Sequence, residues 1–319
     1  QCDHDPSLCA HAGVMRLGCI AMSSLAPDRG PTIADRLHAG GGPLASFEFF
    51  PPKSEAGQQQ LWRAVRELES LQPDFCSVTY GASGSTRERT IDATRHIAAN
   101  TTLETMGHLT CVEQSVAQLR HVVGSYADVG VRHILAVRGD PPGGPSAPWE
   151  PHPEGLPNAT ELVRLVASLG DFCIGVAAFP DIHPGGDPDL DAQLLVEKAE
   201  AGASFAITQL FFTPERYFEL VDRVRAHGCD LPIIPGIMPV TNVRQIEVFA
   251  ELSGAELPEP VVSRIHAVAD DPEAVRAVGV EIGTEVSQAL LDGGAPGLHF
   301  FTQNRSRATR EIHARLDWS

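Results

Sequence analysis

The sequence predicts an α/β fold, a (β/α)8 TIM barrel with extra helices before the eighth strand. From Ala45 onward, short apolar segments rich in β-branched and aromatic residues occur eight times. Stretches with apolar residues at helical spacing lie between them. Most of the short segments are almost continuously hydrophobic, as expected of parallel strands that are covered on both sides. A doubly wound open sheet is the alternative fold, because it uses the same alternation of strand and helix.

The eight predicted strands follow one another along the chain. Their bounds are 46–50, 75–80, 104–110, 133–137, 173–178, 205–211, 232–237 and 297–302. Apolar stripes between them, such as Leu61, Val65 and Leu68, would face the wall of a barrel. Two further helical patterns, 258–268 and 272–291, come before the last strand.

Short motifs predict where several helices begin and end. Ser85 to Glu88 and Thr110 to Glu113 have the spacing of a capping box, in which a hydroxyl and an acid three residues later cap each other. Thr213 followed by Pro214 predicts an N-cap and a proline in the first turn. Gly254 follows an apolar periodic stretch and predicts a helix C-terminus.

The chain of 319 residues is long enough for one large barrel, so its length does not require two domains. We expect residues 1–44 to form a partly disordered N-terminal extension that ends at a Gly-Gly-Gly hinge, and residues 45–319 to form the barrel. Cys2, His4, Cys9 and His11 lie in the extension, but their spacing fits no zinc module well, and we predict no metal.

Composition and charge narrow the classes of partner. The formal net charge of −17 argues against nucleic acid or an anionic membrane as the main partner, and no uninterrupted apolar run approaches the ~18 residues of a membrane span. The seven cysteines form no C-x-x-C pair, which is typical of a reducing compartment. We therefore expect a cytoplasmic protein that acts on small molecules.

Glu48 is a carboxylic acid inside the aromatic segment Phe47 to Phe50, which two prolines end. Burial of a carboxylate costs several kcal/mol, so such a group normally raises its pKa, finds a partner or lies at an opening. Strand alternation places Ser46 and Glu48 on one face and Phe47 and Phe49 on the other. A proton donor and a strand-end glutamate paired with an arginine are both compatible with this segment alone.

Other predicted strands also end in polar residues, and active sites of this fold lie at the C-terminal ends of the strands. These residues are Thr79, Tyr80, His108, Thr110, Arg138, Asp140, His183, Gln209, Asn304 and Arg305. Gln209 stands between apolar neighbours and needs a hydrogen-bond partner, which a ligand amide could supply. The sequence contains no G-x-G-x-x-G, P-loop, G-x-S-x-G or H-E-x-x-H motif.

Taken together, these segments resemble the methylenetetrahydrofolate reductase family, in its bacterial form with a catalytic domain only. The resemblance extends in order from about Ser46 to the C-terminus. It includes Phe-Glu-Phe-Phe-Pro-Pro52, Ser77-Val-Thr-Tyr-Gly81, His108-Leu-Thr-Cys111, Arg138-Gly-Asp140, Ala177-Ala-Phe-Pro180, Ala206-Ile-Thr-Gln209, Ile234-Pro-Gly-Ile-Met-Pro239 and Phe300 to Arg305. The family fold is a (β/α)8 barrel, and no C-terminal regulatory domain is expected.

The resemblance implies a flavoprotein of one-carbon and methionine metabolism. Members hold FAD non-covalently and reduce methylenetetrahydrofolate to methyltetrahydrofolate in a ping-pong cycle, in which NADH or NADPH first reduces the flavin. Glu48 would be the general acid that helps to open the five-membered ring of the folate, and Asp140 would lie near the flavin and bind the pterin. We also expect a homo-oligomer. The same reaction without bound flavin, and a non-catalytic folate-binding barrel, are the alternatives.

The resemblance also assigns ligand contacts by position. The expected FAD contacts are Thr79, Tyr80, Ala82, His108, Arg138, Gly139, Asp140, Ala159, Phe179, His183, Asp191 and Lys198. The expected substrate contacts are Gln209, Gln245, Phe249 and Arg305. Five positions depart from the family pattern, namely Asn158, Phe179, Leu194, Glu197 and Phe301. Glu197 replaces an arginine close to the flavin phosphates, so we expect FAD to be held weakly.

Overall fold

The computed structural model is a closed barrel of eight parallel strands in the order β1 to β8, with β8 paired to β1. The structure describes residues 30–80, 84–144, 147–181 and 187–319, with the backbone alone at 84–86. Residues Pro31–Ser319 form one compact unit. The predicted barrel is therefore confirmed, and the open sheet is excluded because both edges of the sheet pair with each other.

Each predicted strand is present, with ends that differ by two residues at most. The strands are β1 Leu44–Phe49, β2 Phe75–Val78, β3 Thr105–Thr110, β4 His133–Val137, β5 Cys173–Ala178, β6 Phe205–Leu210, β7 Ile233–Ile237 and β8 Gly297–Phe301. The helices of the described residues are α1 Ile33–Ala39, α2 Glu55–Glu69, α3 Gly84–Asn100, α4 Val116–Ala127, α5 Ala159–Leu169, α6 Pro188–Glu200, α7 Pro214–Ala226, α8 Val243–Ser253, α9 Glu259–His266, α10 Pro272–Asp292 and α11 Arg307–His313. The extra helices expected before β8 are α9 and α10.

The side chains of β1 separate into two sets, as strand alternation requires. Phe47 and Phe49 belong to the large hydrophobic cluster that also contains the inner faces of the helices. Ser46 and Glu48 lie on the opposite face, where Ser46 contacts His299 of β8. This alternation places the carboxyl of Glu48 on the inner side of the barrel wall, near the C-terminal end of β1.

Two predicted capping boxes are not formed as expected. Thr110 is the last residue of β3, and the helix that follows begins only after Ser115, which forms a capping box with Gln118. The prediction at Thr110 was wrong because the strand extends through that position. Helix α3 begins at Gly84, so Ser85 lies within the helix and does not precede it.

Helix α1 lies in the part of the chain that the sequence assigned to an N-terminal extension. Thr32 and Asp35 form a capping box that starts this helix. Ile33 is fully buried in a cluster with Phe75 and Met106, and its N–H donates to His133 Nε2 at 3.2 Å. Because Ile33 joins side chains from near the start of several strands, α1 packs at the N-terminal end of the barrel.

None of the helices described by the structure is long and apolar enough to cross a membrane.

Candidate active site

Glu48 lies at the C-terminal end of β1 and is 6% exposed. Thr79, which follows β2, donates from Oγ1 to Glu48 Oε1 at 3.0 Å. The other carboxylate oxygen, Oε2, lies 3.5 Å from His108 Nε2 and 3.6 Å from His299 Nε2. Adjacent parallel strands thus bring Thr79, His108 and His299 around one acid, and no arginine is recorded among the partners of Glu48 in the described residues.

His299 was not among the site residues predicted from the sequence. It is fully buried in β8, where its ring stacks on Phe75 with centroids 5.7 Å apart. Its Nδ1 lies 2.8 Å from Ser46 Oγ, and its Nε2 lies 3.3 Å from Ser77 Oγ. A histidine inside the apolar segment 297–301 is the same kind of signal that singled out Glu48, and this reasoning could have found it.

Burial of Glu48 favours the neutral acid and raises its pKa. Three neighbours act in the opposite direction. His299 acts through a hydrogen bond and its charge, His108 through its charge, and Thr79 through a hydrogen bond. Together they leave the pKa of Glu48 below its usual value. The carboxyl is therefore ionised at neutral pH in the protein without ligands.

Burial lowers the pKa of His108 to about 4, although the charge of Glu48 opposes the shift. The ring is therefore neutral at physiological pH, and the hydrogen bonds of Thr79 and His299 stabilise the carboxylate there. His108 Nε2 is buried and has no hydrogen-bond partner within the described part of the chain. A buried polar atom without a partner is costly, and a ligand that reaches the barrel mouth could satisfy it.

A second group of charges lies at the ends of β4, β5 and α6. Lys198 Nζ donates to the carbonyl oxygen of Ala177 at 3.3 Å. Burial lowers the pKa of Lys198 to about 8, while Asp191 raises it and Arg138 lowers it further. These three predicted cofactor residues are thus within electrostatic reach of one another.

The segment after β4 has two features that favour a ligand. The Arg138 guanidinium lies 5.7 Å from the ring centroid of Trp149, in cation–π geometry. Gly139 has φ 84°, and an added Cβ would lie 2.6 Å from Val112 Cγ1, so this position requires glycine. Asp140 follows directly and is exposed.

Other predicted residues are tied to the scaffold. Tyr80 donates from its hydroxyl to Gln114 Oε1 at 3.2 Å. Ala159 is buried and begins α5, where the Asn158 side chain accepts the Glu161 N–H at 2.9 Å. Asn158, one of the five positions expected to depart from the family pattern, therefore caps a helix. Phe179 follows β5 and is partly buried.

The predicted substrate contacts lie on β6, α8 and the segment after β8. Gln209 Oε1 accepts the N–H of Leu210 at 2.9 Å, next to a register irregularity between β6 and β7. The side-chain amides of Gln245 and Gln303 are hydrogen-bonded to each other. Phe249 packs on a hydrophobic cluster that also borders Phe301, and Arg305 is exposed.

The structure brings some of the predicted residues into direct contact and leaves others apart. Glu48, Thr79 and His108 form one contact group. No recorded contact joins Glu48 to Asp140 or to Gln209 among the described residues. Ala82 and His183 lie outside the described residues.

Sequence comparisons identify similar proteins along most of the chain. The model of the family described as methylenetetrahydrofolate reductase matches residues 33–317. A 5,10-methylenetetrahydrofolate reductase from Pectobacterium carotovorum is 39% identical over 270 residues, which are 84% of this chain and 88% of that protein. The protein of that name from Escherichia coli is 39% identical over 268 residues, with the same coverage. Methylenetetrahydrofolate reductase 1 of Schizosaccharomyces pombe is 35% identical over 275 residues, which are 85% of this chain but 45% of that protein.

A solved structure supports the fold assignment. A protein from Clostridium thermocellum, described as binding two copies of 5-methyl-5,6,7,8-tetrahydrofolic acid, superposes with a TM-score of 0.61 at 12% identity. The match covers 89% of this chain and 97% of that one. At this identity, the likeness concerns the barrel alone.

Proposed function

Because the chain belongs to the methylenetetrahydrofolate reductase family, we propose that it reduces methylenetetrahydrofolate to methyltetrahydrofolate, with NADH or NADPH as reductant and FAD as cofactor. The observation that carries the proposal is the buried carboxyl of Glu48, held by Thr79, His108 and His299 at the barrel mouth. A proton donor at this position is what the opening of a folate ring requires.

The residues at the ends of β3 to β6 fit a flavin dinucleotide. Lys198 and Arg138 provide cations for its phosphates, and Gly139 lets the backbone approach a ligand. His108 Nε2 is a buried polar atom that a ring nitrogen or oxygen could satisfy. When bound, FAD supplies the capacity to pass a hydride from the reduced nicotinamide to the folate.

Glu48 must hold a proton at the moment of reaction, although its pKa is lowered in the protein without ligands. Flat rings that cover the strand ends would exclude water from the carboxylate, and exclusion of water favours the neutral acid. The neutral acid would then donate its proton to a ring nitrogen of the folate. Such a group typically contributes about a hundred- to ten-thousand-fold to the rate.

Asp140 and Gln209 have supporting roles in this proposal. The exposed carboxylate of Asp140 would stabilise the cationic form of the opened folate. Gln209 uses its Oε1 on the backbone of β6, and its NH2 group would be available to a ligand acceptor.

The visible spectrum of the purified protein tests the cofactor. A yellow protein that bleaches with NADH in the absence of oxygen, and recovers its colour on addition of methylenetetrahydrofolate, supports the flavin-dependent reaction. A colourless but active protein would favour direct hydride transfer from the nicotinamide. A protein that binds folate without turnover, with or without added FAD, would favour the non-catalytic barrel.

Replacement of the acid tests its role separately. We expect Glu48→Gln to retain flavin reduction by NADH and to slow the folate half-reaction about a hundred- to ten-thousand-fold, because the amide cannot donate a proton as the acid does. Stopped-flow spectroscopy measures the two half-reactions one at a time. Glu200→Gln, an exposed change at the end of α6, is the matched control and should leave both unchanged. A normal folate half-reaction in Glu48→Gln would refute the assignment.

A further inference from the structure

His299 is a fully buried histidine whose two ring nitrogens both have polar neighbours. Its Nδ1 lies 2.8 Å from the hydroxyl of Ser46, and its Nε2 lies 3.3 Å from the hydroxyl of Ser77 and 3.6 Å from Glu48 Oε2. On the β7 side, His299 is in register with Gly236, so this neighbouring position brings no ionisable side chain. Nδ1 therefore faces a hydroxyl, whereas Nε2 faces the buried acid.

The hydroxyl of Ser46 determines whether Nδ1 carries a hydrogen. This hydroxyl lies 3.1 Å from the carbonyl oxygen of Leu298, which can only accept a hydrogen bond. Because a hydroxyl has a single hydrogen, the bond to Leu298 uses it, and the contact with His299 Nδ1 then requires an N–H on the ring. Nδ1 is thus the donor in this contact, whatever the charge of the ring.

The second nitrogen, Nε2, then decides the charge of the ring. Without a hydrogen, Nε2 would turn a lone pair toward the ionised Oε2 of Glu48, and two acceptors would face each other in a buried site. With a hydrogen, Nε2 becomes a donor to the carboxylate and the ring becomes a cation. The hydroxyl of Ser77 can donate or accept and fits either form. The stacked ring of Phe75, with its centroid at 5.7 Å, presents an aromatic face to the cation, so these surroundings favour the protonated ring.

His108, the other histidine beside Glu48, is not suited to carry this proton. Burial lowers the pKa of His108 to about 4, the charge of Glu48 raises it, and the charge of His299 lowers it further. One cation and one carboxylate make a buried pair without net charge, whereas a second cation would leave an excess of charge. The group around Glu48 therefore has room for one charged histidine.

We propose that Glu48 and His299 hold one transferable proton between them, and that His299 Nε2 keeps it while the carboxyl is ionised. The proposal rests on the proposed function for the destination of the proton, a ring nitrogen of the folate. When ligand rings exclude water, the Nε2–H bond breaks as an O–H bond forms at Glu48 Oε2, and the acid then passes this proton to the folate. His299 is left as a neutral ring with its hydrogen on Nδ1, and the pair takes up one proton from water after the product leaves.

The geometry allows this transfer after a small movement. The distance of 3.6 Å between His299 Nε2 and Glu48 Oε2 must shorten to the ~2.7–2.9 Å of a charge-assisted hydrogen bond. Hydrogen bonds of this kind are often long in enzymes without ligands and tighten in the complex. The pair has no net charge before or after the shift, so the proton moves without adding charge to the buried site. His299 acts through Glu48 and is thus a positioning residue, which keeps a proton beside the acid.

NMR of ligand-free protein labelled with ¹⁵N-histidine tests the location of the proton without turnover. We expect hydrogens on both Nδ1 and Nε2 of His299 at neutral pH, with the signals assigned by their absence in His299→Gln. If that variant does not fold, the shift of the Nδ1 signal in Ser46→Ala provides the assignment. In Glu48→Gln, which removes the anion, Nε2 should lose its hydrogen. A ring nitrogen without hydrogen in the wild type, or an Nε2 that keeps its hydrogen in Glu48→Gln, would overturn the proposal.

The pH dependence of the folate half-reaction tests the role of His299 in the FAD-loaded enzyme. His299→Gln keeps an amide donor near Glu48 but cannot hold a transferable proton. Since two groups that share a proton bind it more tightly than one of them alone, the rate should begin to fall about one pH unit lower in the variant. Above that pH the rate should be about tenfold below the wild-type rate, and flavin reduction by NADH should be retained. His121→Gln, the same change at an exposed position of α4, is the matched control and should retain the wild-type profile.

A purely structural role of His299 would give a different result. An equal loss of rate at every pH, with the fall at the wild-type pH, would overturn the proposal. If the protein reduced no folate at all, the proposed function would fail. The NMR measurement would then still decide whether Glu48 and His299 share a proton.

Discussion

The carboxyl of Glu48 is held by the hydroxyl of Thr79 and by two histidine rings, and no arginine is recorded among its partners in the described residues. Thr79 donates one hydrogen bond at 3.0 Å, and His108 is neutral because burial lowers its pKa to about 4. An arginine partner would keep the group ionised, whereas neutral donors allow it to take up and release a proton. This arrangement favours the proton donor over the strand-end ion pair, which the sequence alone left open.

Removal of one donor should shift the pH dependence of the folate half-reaction. Thr79→Val deletes the hydrogen bond to the carboxylate and so raises the pKa of Glu48. The donor is active when protonated, so the rate falls as pH rises through this pKa. The falling limb should therefore move about one pH unit higher in the variant. Stopped-flow rates of the folate half-reaction, measured across a range of pH, give the position of this limb. Thr101→Val, whose hydroxyl bonds a helix carbonyl, is the control, and an unshifted limb in Thr79→Val would contradict the assignment.

The affinity for FAD should also depend on pH through Lys198. Burial lowers the pKa of this lysine to about 8, so the side chain is cationic below that pH and neutral above it. A phosphate binds the cation, so affinity should fall as pH rises through 8, by at most about tenfold per pH unit for one proton. Fluorescence titration of apoprotein with FAD measures this dependence. Lys198→Met should weaken binding and remove the dependence, while the exposed Lys53→Met should retain it. A pH dependence that persists in Lys198→Met would exclude this lysine.

At the level of secondary structure, the sequence predicts strands better than helix starts. The eight strands are recognisable because each is a compact apolar segment that the barrel buries on both faces. The sequence contains a capping-box pattern both at Thr110 and at Ser115, and only the latter caps a helix, because β3 continues through Thr110. A local pattern cannot decide between two such positions when the length of the strand depends on pairing with its neighbour.

The segment after β4 should orient a cofactor residue through Trp149. Its ring lies 5.7 Å from the Arg138 guanidinium, and its Nε1 is buried without a hydrogen-bond partner within the described residues. Loss of a cation–π contact of roughly 0.5–1 kcal/mol predicts that Trp149→Leu weakens FAD binding about two- to fivefold. Trp149→Phe keeps an aromatic face, so its affinity for FAD should lie between that of Trp149→Leu and that of the wild type. Equal dissociation constants in equilibrium titrations of the three proteins would show that Trp149 does not act on the cofactor site.

Across the whole molecule, the two ends of the barrel differ in chemistry. Polar and charged groups around Glu48 occupy the C-terminal ends of the strands, whereas an apolar cluster that includes Ile33 of α1 lies toward the N-terminal ends, beside the buried His133. The contacts of Glu48 join residues of β1, β3 and β8 that are distant in the chain, so the local sequence does not reveal which of these side chains meet. His299 shows the difference, since its partners become visible only when β8 closes against β1.

This separation predicts that stability and function can be changed independently. Ile33 is fully buried at the N-terminal end, so Ile33→Ala should lower the free energy of unfolding by about 2–5 kcal/mol through lost burial and a residual cavity. Urea unfolding measures this loss, and exposed His38→Ala on the same helix is the control. The folate half-reaction of folded Ile33→Ala should remain at the wild-type rate, because no recorded contact joins Ile33 to Glu48 or its partners among the described residues. A slowed half-reaction at full FAD occupancy would mean that packing at the N-terminal end controls the geometry of the acid, and the two ends would then have to be treated as one coupled unit.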